Sequence, residues 1–295
     1  MWVFWALVLL LHPVWCQVVD RSGENLSAVP SDLPKNSTEL ILENNLISTL
    51  DSCQFCGFTA LQYLHLRNNS ITYVSPTAFK NTSLIELYLS ENELTSVPDL
   101  NEIAAQLEVL VLNDNKISTL PDGILNMSRL RSLELCRNKL HDANTGEFCF
   151  SDLSSLQILK LSFNNFTGEI VKRVSKSPLA SSLDQLILQG NEVGYTPLNE
   201  TEQALRQMRS LTKLDIRGNK MKAIPDIYHG NPEFTLRAIQ AIYNQIVCDS
   251  SALWLKEVQE DLDVRVTLSA CKSPSALVDR SWNSLVREEL DPLRK

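Results

Sequence analysis

Histidine is scarce in this chain, with four in 295 residues. The three beyond residue 16, His65, His141 and His229, stand nowhere at metal-ligand spacing. A GxSxG elbow, an HExxH helix and a glycine-rich phosphate loop are missing as well, so no hydrolytic, zinc-protease or nucleotide-binding centre is legible. The expectation is a protein that is not an enzyme and that carries no cofactor and no metal. Basic charge is also in deficit, with 27 Lys and Arg against 35 Asp and Glu and a formal charge of -8. Nucleic acid and anionic membrane surfaces both call for a basic face, which argues against either as the main partner. Long apolar runs are absent after the first sixteen residues; nothing later approaches the ~18 residues of a membrane span, and the chain ends in "DPLRK".

Those first sixteen residues, "MWVFWALVLLLHPVWC", are almost wholly apolar and carry no acidic or basic side chain. They fit the apolar region of a secretory signal, with cleavage before Gln17. The expectation is a signal peptide over 1–16 and a secreted, extracellular product. Seven cysteines less Cys16 leave an even six, and in an oxidising compartment disulfides become the default reading. Cys53 and Cys56 in "DSCQFCGF" either bridge locally or stay as core thiols; a redox pair would need the start of a helix after a strand. Cys136 and Cys149 fall in one repeat and could pair, although the first leaves a strand and the second belongs to the return path. Asn-X-Ser/Thr sequons at Asn25, Asn36, Asn68, Asn81, Asn126, Asn165 and Asn199 are candidate glycosylation sites.

The chain repeats itself. "LQYLHLRNNSI", "LIELYLSENEL", "LEVLVLNDNKI", "LRSLELCRNKL", "LQILKLSFNNF", "LDQLILQGNEV" and "LTKLDIRGNKM" superimpose on LxxLxLxxNxL, with weaker copies starting at Ser37 and Leu236. An asparagine holds the same register at 45, 69, 92, 115, 138, 164, 191, 219 and 244. Two leucines spaced by two project to one face of a short strand, while the residue between them faces out. Each unit therefore supplies a strand and a return path, and no unit buries its leucines alone. Phe79 should fill the return side of an early repeat, and "NETEQALRQMRS" reads as a short helix capped by Asn199 or Thr201.

On these motifs the chain resembles the leucine-rich repeat family, over roughly residues 20 to 285. The resemblance implies an α/β solenoid, or horseshoe, with a concave parallel sheet of about nine strands, a loop and helical convex side, and a helical disulfide-bonded C-terminal cap. The divisions expected are an N-terminal cap over 17–36, repeats over 37–246 and a C-terminal cap over 247–295. Residues 17–36 resemble the N-terminal cap of Toll-like receptors, a hairpin, with Arg21 where that cap has a cysteine. The family's C-terminal cap has four cysteines and an "LWL" helix. Here Cys248 matches the first and Cys271 the third, while Ser250 replaces the second and the fourth is absent, so the resemblance implies a Cys248–Cys271 bridge. In this family the recurring asparagine bonds to backbone groups of neighbouring turns.

Outward strand residues carry little structural duty in such a solenoid and are the candidate ligand contacts. The candidates are Tyr63, His65, Glu86, Tyr88, Glu108, Val109, Val111, Ile158, Lys160 and Lys213. Glu86 and Glu108 could also approach across strands, although a solvated acidic face is commoner than an acid–base pair. The early strands are rich in Glu and Asp and the later ones in Lys and Arg, so the face should be bipolar. The expected function is recognition of a protein, or of a microbial or glycan ligand, through the concave face. The Toll-like resemblance implies a role in innate immunity. The alternative is a matrix or cell-adhesion component acting by protein association.

Overall fold

The computed structural model describes residues 17–290 apart from 121, 124, 148, 232 and 233. The expected signal peptide and the last five residues of the C-terminal cap lie outside the described residues. The strands are β1 (Val18–Asp20), β2 (Glu39–Ile41), β3 (Thr49–Leu50), β4 (Tyr63–His65), β5 (Tyr73–Val74), β6 (Glu86–Tyr88), β7 (Val109–Val111), β8 (Ser132–Glu134), β9 (Ile158–Lys160), β10 (Gln185–Ile187), β11 (Lys213–Asp215), β12 (Ala238–Ala241) and β13 (Arg265–Leu268). All but β3 and β5 form one parallel sheet of 11 strands in chain order, while β3 and β5 pair separately. The fold is a leucine-rich repeat solenoid.

The sheet exceeds the expected nine strands because both ends of the chain extend it. β1 pairs with β2, Val19 beside Leu40, and β13 pairs with β12, Val266 beside Ile239. Neither "VVD" nor "RVTL" carries the repeat signature, so the pattern could not reveal them. Residues 17–36, expected as a hairpin, contribute a single strand parallel to its neighbour instead, which covers the first repeat's leucines as a preceding repeat would.

Within the repeat strands the middle residue turns inward. Leu40, Leu64, Leu87, Leu110, Leu133, Leu159 and Leu186 are all fully buried, as is the leucine two positions on, from Leu42 to Leu188. One continuous core results. Its turns are held by the asparagines, all nine of them buried. Asn115, for example, donates from Nδ2 to the Leu89 carbonyl at 2.9 Å and accepts at Oδ1 from the Leu94 N–H at 3.0 Å. The same exchange with the preceding turn recurs from Asn45 to Asn244. To aim each amide inward the chain bends sharply, and the residue just before it is left-handed. The φ values run from 52° at Asn68 to 62° at Tyr243 among the non-glycines, with Gly190 and Gly218 in the same place.

The return paths change character along the chain. Early ones are turns filled by aromatics: Phe79 is buried and stacks on Phe55 with centroids 5.7 Å apart. Later ones carry helices α1 (Glu169–Lys176) and α2 (Leu198–Leu205), which are tied together by Lys172 bonding both Glu169 and Glu200 at 2.7 Å. The expected caps Asn199 and Thr201 lie inside α2, because Pro197, with its fixed φ, occupies the N-cap. Helix α3 (Leu253–Asp261) and the short α4 (Arg287–Leu290) follow. Trp282 is buried and donates from Nε1 to Gln259 of α3 at 2.9 Å.

Cys248 and Cys271 form the bridge implied by the resemblance, with Cα atoms 5.6 Å apart. Cys53 and Cys56 also bridge, at 4.8 Å, around the buried Phe55 in a turn rather than at a helix start. Cys136 and Cys149 are free, against the pairing considered above. Cys136 leaves β8 at the sheet face, its N–H bonded to Asn113 Oδ1 at 2.8 Å. Cys149 is packed in the return path, where burial pushes its thiol up to about 12.

Candidate functional site

The strand geometry sets the outward residues in rows across the sheet. Tyr63 on β4 faces Glu86 on β6 and then Val109 on β7, while His65, Tyr88 and Val111 make the parallel row. The rings of His65 and Tyr88 stack with centroids 4.6 Å apart and planes 5° from parallel. The Tyr88 hydroxyl donates to Glu86. Burial first, and then the bond to Glu86, push the phenol well above its usual value, so it stays a neutral donor. Glu39 and Glu43 lie 3.2 and 3.8 Å from the His65 ring nitrogens. Three strands, β2, β4 and β6, thus gather an aromatic centre ringed by carboxylates.

The other candidates lie apart. Ile158 and Lys160 are on β9 and Lys213 on β11, in the continuation of the same rows. Glu108 precedes β7, at the strand-entry edge, and meets Arg131 at 3.4 Å. Each of the two carboxylates considered as a pair has a partner of its own, Tyr88 for Glu86 and Arg131 for Glu108. Val111, expected as an open apolar contact, is only 9% exposed although it lies outside the core cluster. Tyr88 and Glu134 flank it on the paired strands, so it supports its neighbours from below.

The bipolar face expected from the sequence is largely self-neutralised in its middle. Arg67 meets Glu91 at 2.6 Å, Arg137 meets Asp114 at 3.8 Å, and Lys160 meets Glu134 at 2.6 Å. Asn113 donates to Glu134 at 2.8 Å, and Arg217 holds the buried Asp215 at 2.6 Å. The repeat pattern gave no signal for Asn113 or for these pairings, because they depend on which side chain reaches across to the next strand. All seven sequon asparagines are exposed. Of these, Asn68 lies at the strand rim, its amide donating to Asn44 at 2.8 Å. Among the described residues no group of three or more His, Cys, Asp or Glu could hold a metal ion, and no helix is long and apolar enough to cross a membrane.

Known proteins share parts of this architecture. The family model described as leucine rich repeat matches residues 59–100 and 105–166. Lumican of Gallus gallus is 38% identical over 71 residues, 23% of this chain and 21% of that protein. Fibromodulin of Oryctolagus cuniculus is 36% identical over 72 residues, 24% of this chain and 49% of that sequence. The match thus spans about a fifth of lumican's length and half of that fibromodulin sequence. Among solved structures, a chain of the octameric complex of Latrophilin 3, Unc5D and the leucine-rich repeat portion of FLRT2 superimposes with a TM-score of 0.70. It is 26% identical, covering 89% of this chain and 78% of that one. A leucine-rich repeat protein of Leptospira interrogans shares the fold, with a TM-score of 0.54 and 21% identity over 88% of this chain and 79% of its own.

Proposed function

We infer, from the leucine-rich repeat fold as premise, that this chain is an extracellular binding protein whose sheet face holds another protein, in a matrix or adhesion setting. The observation that carries the reading is the aromatic centre of Tyr63, His65 and Tyr88. These residues are half-buried yet outside the core, and His65 and Tyr88 are preorganised by stacking on each other and by the Tyr88–Glu86 bond. Such rigid, partly desolvated aromatics are the groups on which protein interfaces concentrate their binding energy. Glu39, Glu43 and Glu86 around them would select a partner with basic side chains.

The relatives support the setting. Lumican and fibromodulin are extracellular matrix proteins, and the FLRT2 leucine-rich repeat portion is seen assembled with Latrophilin 3 and Unc5D. For that reason the matrix or adhesion role stands ahead of the innate recognition of microbial or glycan ligands that the Toll-like resemblance implied. The experiment is surface plasmon resonance of the immobilised full chain against a panel of matrix proteins and cell-surface ectodomains. Tyr63→Ala with Tyr88→Ala should weaken the binding found by at least tenfold, at an almost unchanged melting midpoint. Binding equal to that of the unaltered chain would place the interface elsewhere.

A further inference from the structure

Most cations of the sheet face are already neutralised. Arg67, Arg131, Arg137, Lys160 and Arg217 each lie within 4.0 Å of a carboxylate. Lys213, Arg237 and Arg265 differ: among the described residues none has an ion-pair partner, and the two arginines are exposed. The register brings them together. Lys213 pairs with Ala238, and Ala238 with Arg265, while Arg237 immediately precedes Ala238. Strands ~4.8 Å apart set the Lys213 and Arg265 backbones about 10 Å from each other, with only the Ala238 methyl between them. Two long cationic side chains thus flank a low floor wide enough for a carboxylate, with a third cation at the strand entrance. The carboxylates nearby are occupied: Asp215 is buried against Arg217, and Asp184 accepts from the Thr212 hydroxyl.

We propose that Lys213, Arg237 and Arg265 are the seat for an acidic stretch of the partner protein. The proposal rests on the reading of the sheet face as protein-binding and gives the partner an orientation. Unpaired cations gather over β11 to β13, while Glu39, Glu43 and Glu86, which meet no Lys or Arg among the described residues, gather over β2 to β6. A uniform polyanion such as a sulfated polysaccharide, laid along the sheet, would run from the cations into those carboxylates, on a chain whose net charge is -8. A protein segment with acidic residues at one end and basic residues at the other meets both ends of the face favourably. The partner's acidic end therefore lies over the last strands and its basic end over the aromatic centre.

The test uses the full glycosylated chain and two probes. The first is a labelled peptide of four glutamates, ten Gly/Ser residues and four lysines, long enough to reach from β12 to β6 at ~3.3 Å per residue. The second is a heparin-derived hexasaccharide. Fluorescence anisotropy should show peptide binding that falls at least tenfold in Lys213→Gln/Arg237→Gln/Arg265→Gln and less than threefold in Arg67→Gln/Arg137→Gln, both variants melting as the unaltered chain does. Absent peptide binding, or binding indifferent to the triple variant, overturns the proposal. So does hexasaccharide binding that is tighter than the peptide's and equally sensitive to the triple variant, since the patch would then serve a sulfated polysaccharide. The two readings separate in the panel experiment. A partner lost with Tyr63→Ala/Tyr88→Ala but kept with the triple variant leaves the sheet-face reading standing and removes this one.

Discussion

Asn115 joins two turns of the solenoid to each other: its Nδ2 reaches the Leu89 carbonyl at 2.9 Å. Through Oδ1 it also accepts the Leu94 N–H, which has no other partner in the core, whereas the Leu89 carbonyl also accepts from Asn92 Nδ2 at 3.1 Å. Asn115→Ala orphans the Leu94 N–H and leaves the Leu89 carbonyl with Asn92 alone. An unpaired buried group costs ~1–3 kcal/mol, and the loss expected is about 2 kcal/mol. Asn165→Ala, at an exposed position with ordinary backbone geometry, should stay within about 0.5 kcal/mol. Urea unfolding followed by circular dichroism measures both, and equal losses for the two variants would show that the ladder does not hold the turns.

The ladder is also the part most open to a reading from sequence. An asparagine at nine matched positions, each after two apolar residues spaced by two, dictates strand, turn and inward amide together, because period and polarity act locally. The left-handed residue before each asparagine was not legible. Gly190 and Gly218 suit it, as do Asn44, Asn68 and Asp114, but Glu91, Arg137, Phe163 and Tyr243 adopt the same φ because the ladder bond imposes it. At the candidate site the rows of outward residues followed from the period of two. Their partners did not: the Tyr88–Glu86 bond and the covered state of Val111 depend on side chains brought together by stacking of separate repeats. The strands β1 and β13 escaped for a related reason, since a terminal strand needs only to match its neighbour's backbone.

The cysteines divide into three environments, and each has its own expected behaviour. Replacing Cys248 and Cys271, 23 residues apart, by serine should cost about 3 kcal/mol, because the unbridged unfolded chain gains the freedom of a long loop. Replacing Cys53 and Cys56, only 3 apart, should cost about 2 kcal/mol by the same relation. Iodoacetamide on the native chain should alkylate Cys136 well before Cys149, since the thiolate is the reactive form and Cys149 is buried, its thiol pushed up to about 12. Peptide mass spectrometry reads the order, and a Cys136–Cys149 bridge would show as no labelling of either.

A last expectation concerns pH and the junction between the repeats and the C-terminal cap. His229 stands between them: Nδ1 meets Asp226 at 2.7 Å, and Nε2 meets Glu257 of α3 at 2.9 Å. Arg206 fastens the same loop by donating to the His229 and Asp226 carbonyls at 2.6 Å. The Asp226 hydrogen bond first, then the charges of Asp226 and Glu257, raise the imidazole above its ordinary 6.5. The folded state therefore binds this proton more tightly than the unfolded one. That contribution is fully present below about 6.5, the unfolded value, and is lost as pH rises through the raised folded value. His229→Gln keeps a neutral hydrogen-bonding side chain and removes the proton. Its melting midpoint should lie below that of the unaltered chain most clearly near pH 6, and the gap should close toward about pH 9, as the imidazole becomes neutral. Half of the ring faces solvent, so salt screening should shrink the gap as well. Two melting curves that stay parallel across the whole range would mean that the junction is held by Arg206 and packing, with no part played by the histidine's charge.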